Sequence, residues 1–292
     1  MSADSARKRA GGGRGIIFDL REMTTHDGPG IRTTVFFKGC LLRCLWCHNP
    51  EGIAFEPELM VRSKGCAHCG LCARPCGHPE CAELGRCVRI CPSGLLRAAG
   101  ERVRADELAE RLLKTADIVE EGGGGFTISG GEPLAQPAFL FELMELLKPN
   151  HLAIETSGFA SPEVFERAIA LADLVMLDLK HMDPKEHARG TGVENAPILA
   201  NLERIMASGR RFVARIPLIP GFNDSEGNMR AVAERLAPAK SRLRVELLPC
   251  NPLAGAKYPM LGRRYESIYP PEAAPRVDLS AFDSLGIEAL VL

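Results

Sequence analysis

No surplus of either charge marks this chain: 36 Lys and Arg stand against 37 Asp and Glu, a net charge of -1. A surface so balanced carries no electrostatic footprint for nucleic acid or an anionic bilayer, and neither partner is expected. Also missing is any apolar run of about 18 residues, the length that crosses a membrane as a helix. The N-terminus has no apolar stretch of the kind that directs secretion, so a cytoplasmic protein is expected. Residues 1–14, basic and Gly-rich, have too little apolar surface to bury and read as a disordered tail. The 11 Cys would suggest disulfides in a secreted chain, but in a reducing compartment clustered Cys are more often metal ligands, and ten of the 11 fall between Cys40 and Cys91. With 292 residues, 46% of them hydrophobic, there is enough chain for one large core and a small appendage.

The most informative absence is a fourth thiol. In Gly39-Cys-Leu-Leu-Arg-Cys-Leu-Trp-Cys-His-Asn-Pro-Glu51, Cys40, Cys44 and Cys47 are spaced to hold a 4Fe-4S cubane, whose four corners a closed electron-transfer site fills with four Cys. One iron is left open, and an open position marks a metal that binds and transforms a ligand. A structural zinc knuckle fits this spacing poorly. CxxxCxxC resembles the signature of radical S-adenosylmethionine (radical SAM) enzymes, in which SAM occupies the open iron. The flanks, Asp27-Gly-Pro-Gly-Ile-Arg32 and Thr-Thr-Val-Phe-Phe37, resemble the glycyl-radical-enzyme activating branch, and the likeness covers the chain from Ile16 to Leu292 apart from one insert.

Beyond the Cys-rich zone, short apolar runs alternate with longer amphipathic ones, the pattern of βα units around a parallel sheet. Strands are predicted at Arg32 to Phe37, Phe126 to Ser129, Leu152 to Glu155, Leu174 to Leu179, Phe212 to Ile216 and Leu243 to Leu248, with an edge strand at Ile287 to Leu292. Helices are predicted at Ala105 to Glu120, Ala138 to Leu147, Pro162 to Ala172, Ala196 to Ser208 and Ser225 to Leu236. The fold class is α/β: a partial (β/α)6 TIM-like barrel of the radical SAM kind, residues 15–55 and 97–292, its chemistry at the C-terminal ends of the strands. Length alone leaves a complete eight-stranded barrel open.

Residues 56–96 break the alternation and form an inserted ferredoxin-type module. Cys66-x2-Cys69-x2-Cys72-x3-Cys76 matches the bacterial ferredoxin run, and Cys87-x3-Cys91-Pro92 looks like the end of a second one. Because the fourth Cys of each run serves the other cluster, Cys66, Cys69, Cys72 and Cys91 would hold one auxiliary 4Fe-4S cluster, while Cys76, Cys81 and Cys87 begin a second. The remaining Cys of that second set is replaced by Leu84. This leaves open a non-Cys ligand such as His78 or Glu80, a cluster short of an iron, or no cluster. A structural zinc domain would strand three of the seven Cys. His68 reads as a solvent-facing loop residue and the lone Cys250 as a small buried hydrophobe.

Ser129-Gly-Gly-Glu-Pro133 follows a strand, where glycines let backbone approach a ligand. By resemblance, Gly130, Gly131 and Glu132 hold the SAM amino group, and Trp46 and His48 pack at the cofactor. The resemblance places Glu155, Thr156, Asp178 and Lys180 around SAM, with Glu155, Thr156, Asp178 and the Met176 carbonyl as a monovalent-cation site. Glu155 stands where pyruvate formate-lyase activating enzyme has Asp. Arg215 would face the SAM carboxylate and Asn251 the adenosine. The reaction implied is reductive cleavage of SAM to methionine and a 5'-deoxyadenosyl radical, which takes hydrogen from a glycine of a partner enzyme docked at Asp27–Gly30. A ferredoxin or flavodoxin donor and a monomeric state are expected. Diol dehydratases, choline or isethionate lyases, aryl-acetate decarboxylases and arylsuccinate synthases all stand open as partners. A radical SAM enzyme acting on a small molecule is the alternative.

Overall fold

The computed structural model describes residues 13–270 and 272–292. Residues 1–12 of the expected tail lie outside this range, whereas Arg14 already opens a strand. The strands are β1 (Arg14–Thr24), β2 (Arg32–Phe37), β3 (Glu58–Val61), β4 (Leu96–Ala99), β5 (Glu101–Arg104), β6 (Gly125–Gly130), β7 (Leu152–Thr156), β8 (Leu174–Asp178), β9 (Phe212–Leu218), β10 (Leu243–Pro249) and β11 (Ala289–Val291). The helices are α1 (Pro79–Ala82), α2 (Ala105–Leu113), α3 (Ala116–Glu121), α4 (Pro137–Leu147), α5 (Pro162–Leu171), α6 (Pro184–Thr191), α7 (Ala196–Ala207), α8 (Glu226–Leu236) and α9 (Ser280–Asp283).

One nine-stranded sheet runs in the order β11-β10-β9-β8-β7-β6-β2-β1-β5. From β2 to β11 every pairing is parallel. The sheet is open: β11 extends the six predicted barrel strands at one edge, and β1 and β5 add antiparallel strands at the other. Neither β1 nor β5 was expected. The predicted helix over 105–120 is two, because Thr115 turns its hydroxyl onto the Leu112 carbonyl at 2.9 Å and the chain restarts as α3. Helix α6 was also not expected; Asp183 caps its start by accepting from the Lys185 and Glu186 amides at 2.9 Å, and Gly192 ends it in the left-handed region.

Strand alternation decides what faces where. Phe126, Ile128, Ile154, Val175, Leu177, Ala214, Ile216, Val245 and Leu247 point outward and join one core with Phe139, Leu140 and Leu143 of α4, Phe165 of α5, Ile205 of α7 and Leu236 of α8. Each fully buried Val, Leu, Ile or Phe among them contributes about 1.5–3 kcal/mol. The intervening residues point inward. They include Arg32, Thr34, Thr127, Ser129, Glu155, Asp178, Arg215 and Glu246 and leave the interior polar; Arg32 bonds to Thr127, Ser129 to Glu155, and Arg215 to both Glu155 and Glu246. Beneath them Ala153, Met176 and Val213 form a small separate cluster.

The Cys-rich segment expected to be an insert lies between β3 and β4, which pair antiparallel as a separate two-stranded sheet. No helix among the described residues is long and apolar enough to cross a membrane.

Candidate active site and cofactor cavity

At the C-terminal ends of the parallel strands lies a cavity of about 630 Å³. That size is within the range of about 300–1,000 Å³ usual for small-molecule sites. Cys40, Cys44 and Cys47 line it from the loop after β2, Gly130 and Gly131 from the end of β6, Glu155 and Thr156 from β7, and Asp178 and Lys180 from β8. Trp46, His48 and Asn251 line it as well. Glu132 and Arg215 do not.

The Cys loop is held from several sides. The Arg43 and Leu45 amides donate to the Thr191 and Gly190 carbonyls at 2.7 and 3.0 Å, which ties the loop to the end of α6. Trp46 packs on Phe222 with ring centroids 5.0 Å apart. Cys250 sits against the same apolar cluster. The Gly39 amide donates to the Gly52 carbonyl, and the Glu132 amide to the Gly39 carbonyl, both at 2.8 Å, so the Gly130-Gly131 turn lies directly under the loop. A Cβ at Gly131 would overlap the Gly52 and Gly39 carbonyl oxygens, and Gly130 has a φ of 119°. Only glycine fits both demands.

Burial pushes the Cys40 and Cys44 thiols up to about 12, and Cys47 is raised too. Three neighbouring thiolates cannot stay ionised here without a bound cation, so loading metal must expel their protons. Three thiols on one cavity with no fourth among its lining residues fit a cubane with one open iron.

Glu132 and Arg215 are each held by neighbouring groups of the protein. Glu132 is fully buried, and its carboxylate accepts from the Leu134 amide at 3.1 Å, the Thr156 hydroxyl at 2.6 Å, the Ser157 amide at 2.9 Å and the Ser157 hydroxyl. It braces β6 against β7 and has no oxygen left for an amino group. Burial raises its carboxyl despite these four donors. Arg215 donates to Glu155 at 2.6 Å, Glu246 at 2.9 Å and the His26 carbonyl at 2.9 Å. Burial alone would lower it; Glu155 and Glu246 raise it instead, so it stays a cation held between two carboxylates.

Two of the carboxylates expected to hold a monovalent cation each have partners within the protein. Glu155 has Arg215 and the Ser129 hydroxyl at 2.5 Å, and Asp178 has the Lys180 ammonium at 2.8 Å. Lys180 lines the cavity, as Arg21 and Lys257 do, and is buried beside Cys44 and Asp178, which raise it against the cost of burial.

Residues the sequence reading missed close the site from far along the chain. Lys257 donates to Asn49 at 2.9 Å and Glu51 at 2.6 Å, and the Tyr258 hydroxyl donates to the Cys47 carbonyl at 3.0 Å. Both belong to a 3-10 segment, Ala254–Leu261, whose aperiodic sequence gives no signal. Lys38, wholly buried, joins the Glu51 carbonyl at 2.6 Å to Glu58 at 2.9 Å and so fastens β3 to the Cys loop.

Asp27 also lines the cavity, at the start of a pinned loop. Its carbonyl accepts from Thr127 at 2.7 Å, its carboxylate from Thr34 at 2.8 Å, and Arg32 donates to the Pro29 carbonyl at 3.1 Å. In the insert, Cys66, Cys69, Cys72 and Cys91 line a second cavity of about 210 Å³, and His68 is exposed with a φ of 51°. Cys76, His78, Cys81 and Cys87 gather separately, their ligand atoms all within 4.8 Å of one another.

Comparison with known proteins agrees with this geometry. Residues 34–231 match the Radical SAM superfamily. The choline trimethylamine-lyase activating enzyme of Oleidesulfovibrio alaskensis is 36% identical over 86% of this chain and 88% of its own. The 4-hydroxyphenylacetate decarboxylase activating enzyme of Clostridium scatologenes is 36% identical over 87% and 88%. A radical SAM methyltransferase from Sphaerobacter thermophilus shares the fold, with a TM-score of 0.55 at 17% identity, covering 94% of this chain and 76% of that one. The chain belongs to the radical SAM superfamily, in its glycyl-radical-enzyme activating branch.

Proposed function

We propose that this protein activates a glycyl-radical enzyme by SAM-dependent hydrogen abstraction from one glycine of that partner. The observation that carries the reading is the convergence of three thiols, the Gly130-Gly131 turn, Lys180 and the Asp27 loop on one cavity. Cys40, Cys44 and Cys47 would hold the 4Fe-4S cluster and leave one iron for SAM. Together the cluster and SAM supply one-electron carbon–sulfur cleavage and the hydrogen abstraction.

The chain's own residues do the rest. Backbone at Gly130 and Gly131 meets the ligand closely because no Cβ intervenes. Lys180 offers an ammonium to the SAM carboxylate, and the buried Trp46 walls the cavity, with His48, Asn251 and Leu253 lining its exposed side. The loop from Asp27 to Gly30, held rigid by Arg32, forms an edge on which the partner's glycine strand can dock. A monovalent cation has no part in this reading, since Lys180 and Arg215 already neutralise Asp178 and Glu155.

In the insert, Cys66, Cys69, Cys72 and Cys91 would hold an auxiliary 4Fe-4S cluster that passes electrons from a ferredoxin or flavodoxin. A monomer in the cytoplasm suffices for this chemistry, because one chain supplies the whole cavity.

The test is anaerobic incubation with SAM, a reductant and a candidate glycyl-radical enzyme. A glycine-centred EPR doublet on the partner is the expected result. SAM cleavage without a doublet on any partner tried would transfer the activity to a small-molecule substrate.

A further inference from the structure

We infer that the insert holds two different metal sites, and that Cys76, His78, Cys81 and Cys87 bind a single tetrahedral zinc ion rather than a second cubane. The argument is one of spacing. Sulfurs around a cubane each bind a different corner iron and stand about 6 Å apart. Ligands of one zinc, at about 2.3 Å for sulfur and 2.0–2.1 Å for nitrogen, stand only about 3.5–3.8 Å apart when tetrahedral. The Cys76, His78, Cys81 and Cys87 ligand atoms all lie within 4.8 Å of one another, and the Cys87 Sγ is 3.7 Å from His78 Nδ1. Among the described residues no other trio of Cys, His, Asp or Glu is that compact, including the trio 40/44/47 and the quartet 66/69/72/91. The two sets assigned to cubanes are open; this one is closed.

The donors agree with the spacing. Three sulfurs and one imidazole nitrogen complete a structural zinc site, with no corner left for a second metal. Leu84 stands where a further thiol would be needed for a cubane. Glu80, the other candidate ligand, is paired to Arg89 at 2.5 Å and so is committed elsewhere. Cys81 and Cys87 are buried while Cys76 and His78 are exposed, so the site would draw an outer loop onto an inner one. Zinc has no accessible redox change. The ion would therefore fasten α1 to the Cys87 loop, and electrons through the insert would have a single stop at Cys66, Cys69, Cys72 and Cys91.

The experiment is metal analysis of the tag-free full chain purified anaerobically. About eight irons, four for each of two cubanes, and about one zinc per chain are expected. Cobalt loaded in place of the zinc should show the intense visible bands of a tetrahedral sulfur-rich site. His78→Ala should fall below about a tenth of the wild-type zinc content after dialysis against a chelator, with iron unchanged. His78→Cys should keep the metal and shift the cobalt spectrum, which separates loss of a ligand from misfolding. About twelve irons and no zinc, or loss of iron in His78→Ala, would overturn the single-ion assignment. About nine irons and no zinc would overturn zinc as the occupant.

Discussion

Arg215→Met withdraws the one cation that lies between Glu155 of β7 and Glu246 of β10. Removing one partner of a buried pair costs about 3–5 kcal/mol, because the other charge is left without compensation. Here the lower end applies: Glu246 keeps Arg244, Glu155 keeps the Ser129 hydroxyl, and the Glu155 side chain is 22% exposed. A loss of about 3 kcal/mol is a large part of a domain's usual 5–15 kcal/mol. Urea titration of the metal-free, reduced chain reads it as a lower midpoint with unchanged slope. The pH dependence supplies a second reading. Burial would raise the Glu155 carboxyl, yet Arg215 and Ser129 hold it below its ordinary value. A depressed carboxyl stabilises the fold fully above its unfolded pKa of about 4.3, and that stabilisation fades as pH falls below it. The gap between wild type and Arg215→Met should narrow in the same window. The triple variant Arg215→Met, Glu155→Gln, Glu246→Gln, which leaves no orphaned charge, should recover to within about 1 kcal/mol of wild type. A single variant that loses under about 1 kcal/mol at neutral pH would refute the reasoning.

Three further outcomes are expected. Glu132→Gln turns an amide nitrogen toward donors that need an acceptor and should cost about 1–3 kcal/mol, read as a lower Tm with weaker SAM binding in calorimetry. Gly131→Ala should cost a similar 1–3 kcal/mol or so through overlap with the Gly39 and Gly52 carbonyls, and it should abolish SAM-induced change in the EPR signal of the cluster. Cys91→Ser should lower iron by about four atoms per chain while chemically reduced protein still cleaves SAM; loss of cleavage would make that cluster part of the active centre.

The barrel strands were legible because each is a short apolar run bounded by Gly, Pro or polar residues, as at Leu152–Thr156. Strand β1 was not: Phe18-Asp19-Leu20-Arg21-Glu22 is rich in charge and adjoins a Gly-rich stretch, so its pairing with β2 decided its structure. Helix α6, Pro-Lys-Glu-His-Ala-Arg-Gly-Thr, has almost no apolar stripe and is specified by its caps. The site's local strings, from Cys40 to Cys47 and from Ser129 to Pro133, were readable because their members are neighbours in sequence. The inward-facing charges carried less information. Strand periodicity shows that Glu132, Glu155 and Arg215 lie near the mouth, but it does not tell which are consumed by one another. Lys257 and Tyr258 were invisible for a simpler reason: their partners, Asn49, Glu51 and Cys47, lie more than 200 positions away.

That last separation bears on the order in which the protein is made. Contacts so distant in sequence close late, after the entropy of the intervening loop has been overcome. The segment bearing Cys40, Cys44 and Cys47 leaves the ribosome early yet acquires its bracket only when the final seventh of the chain has emerged. Iron delivered before then would meet three unconstrained thiols. A nascent chain halted at Pro249 is thus expected to retain on gel filtration only the roughly four irons of Cys66, Cys69, Cys72 and Cys91, and one that retains about eight would show that the cradle assembles without its latch.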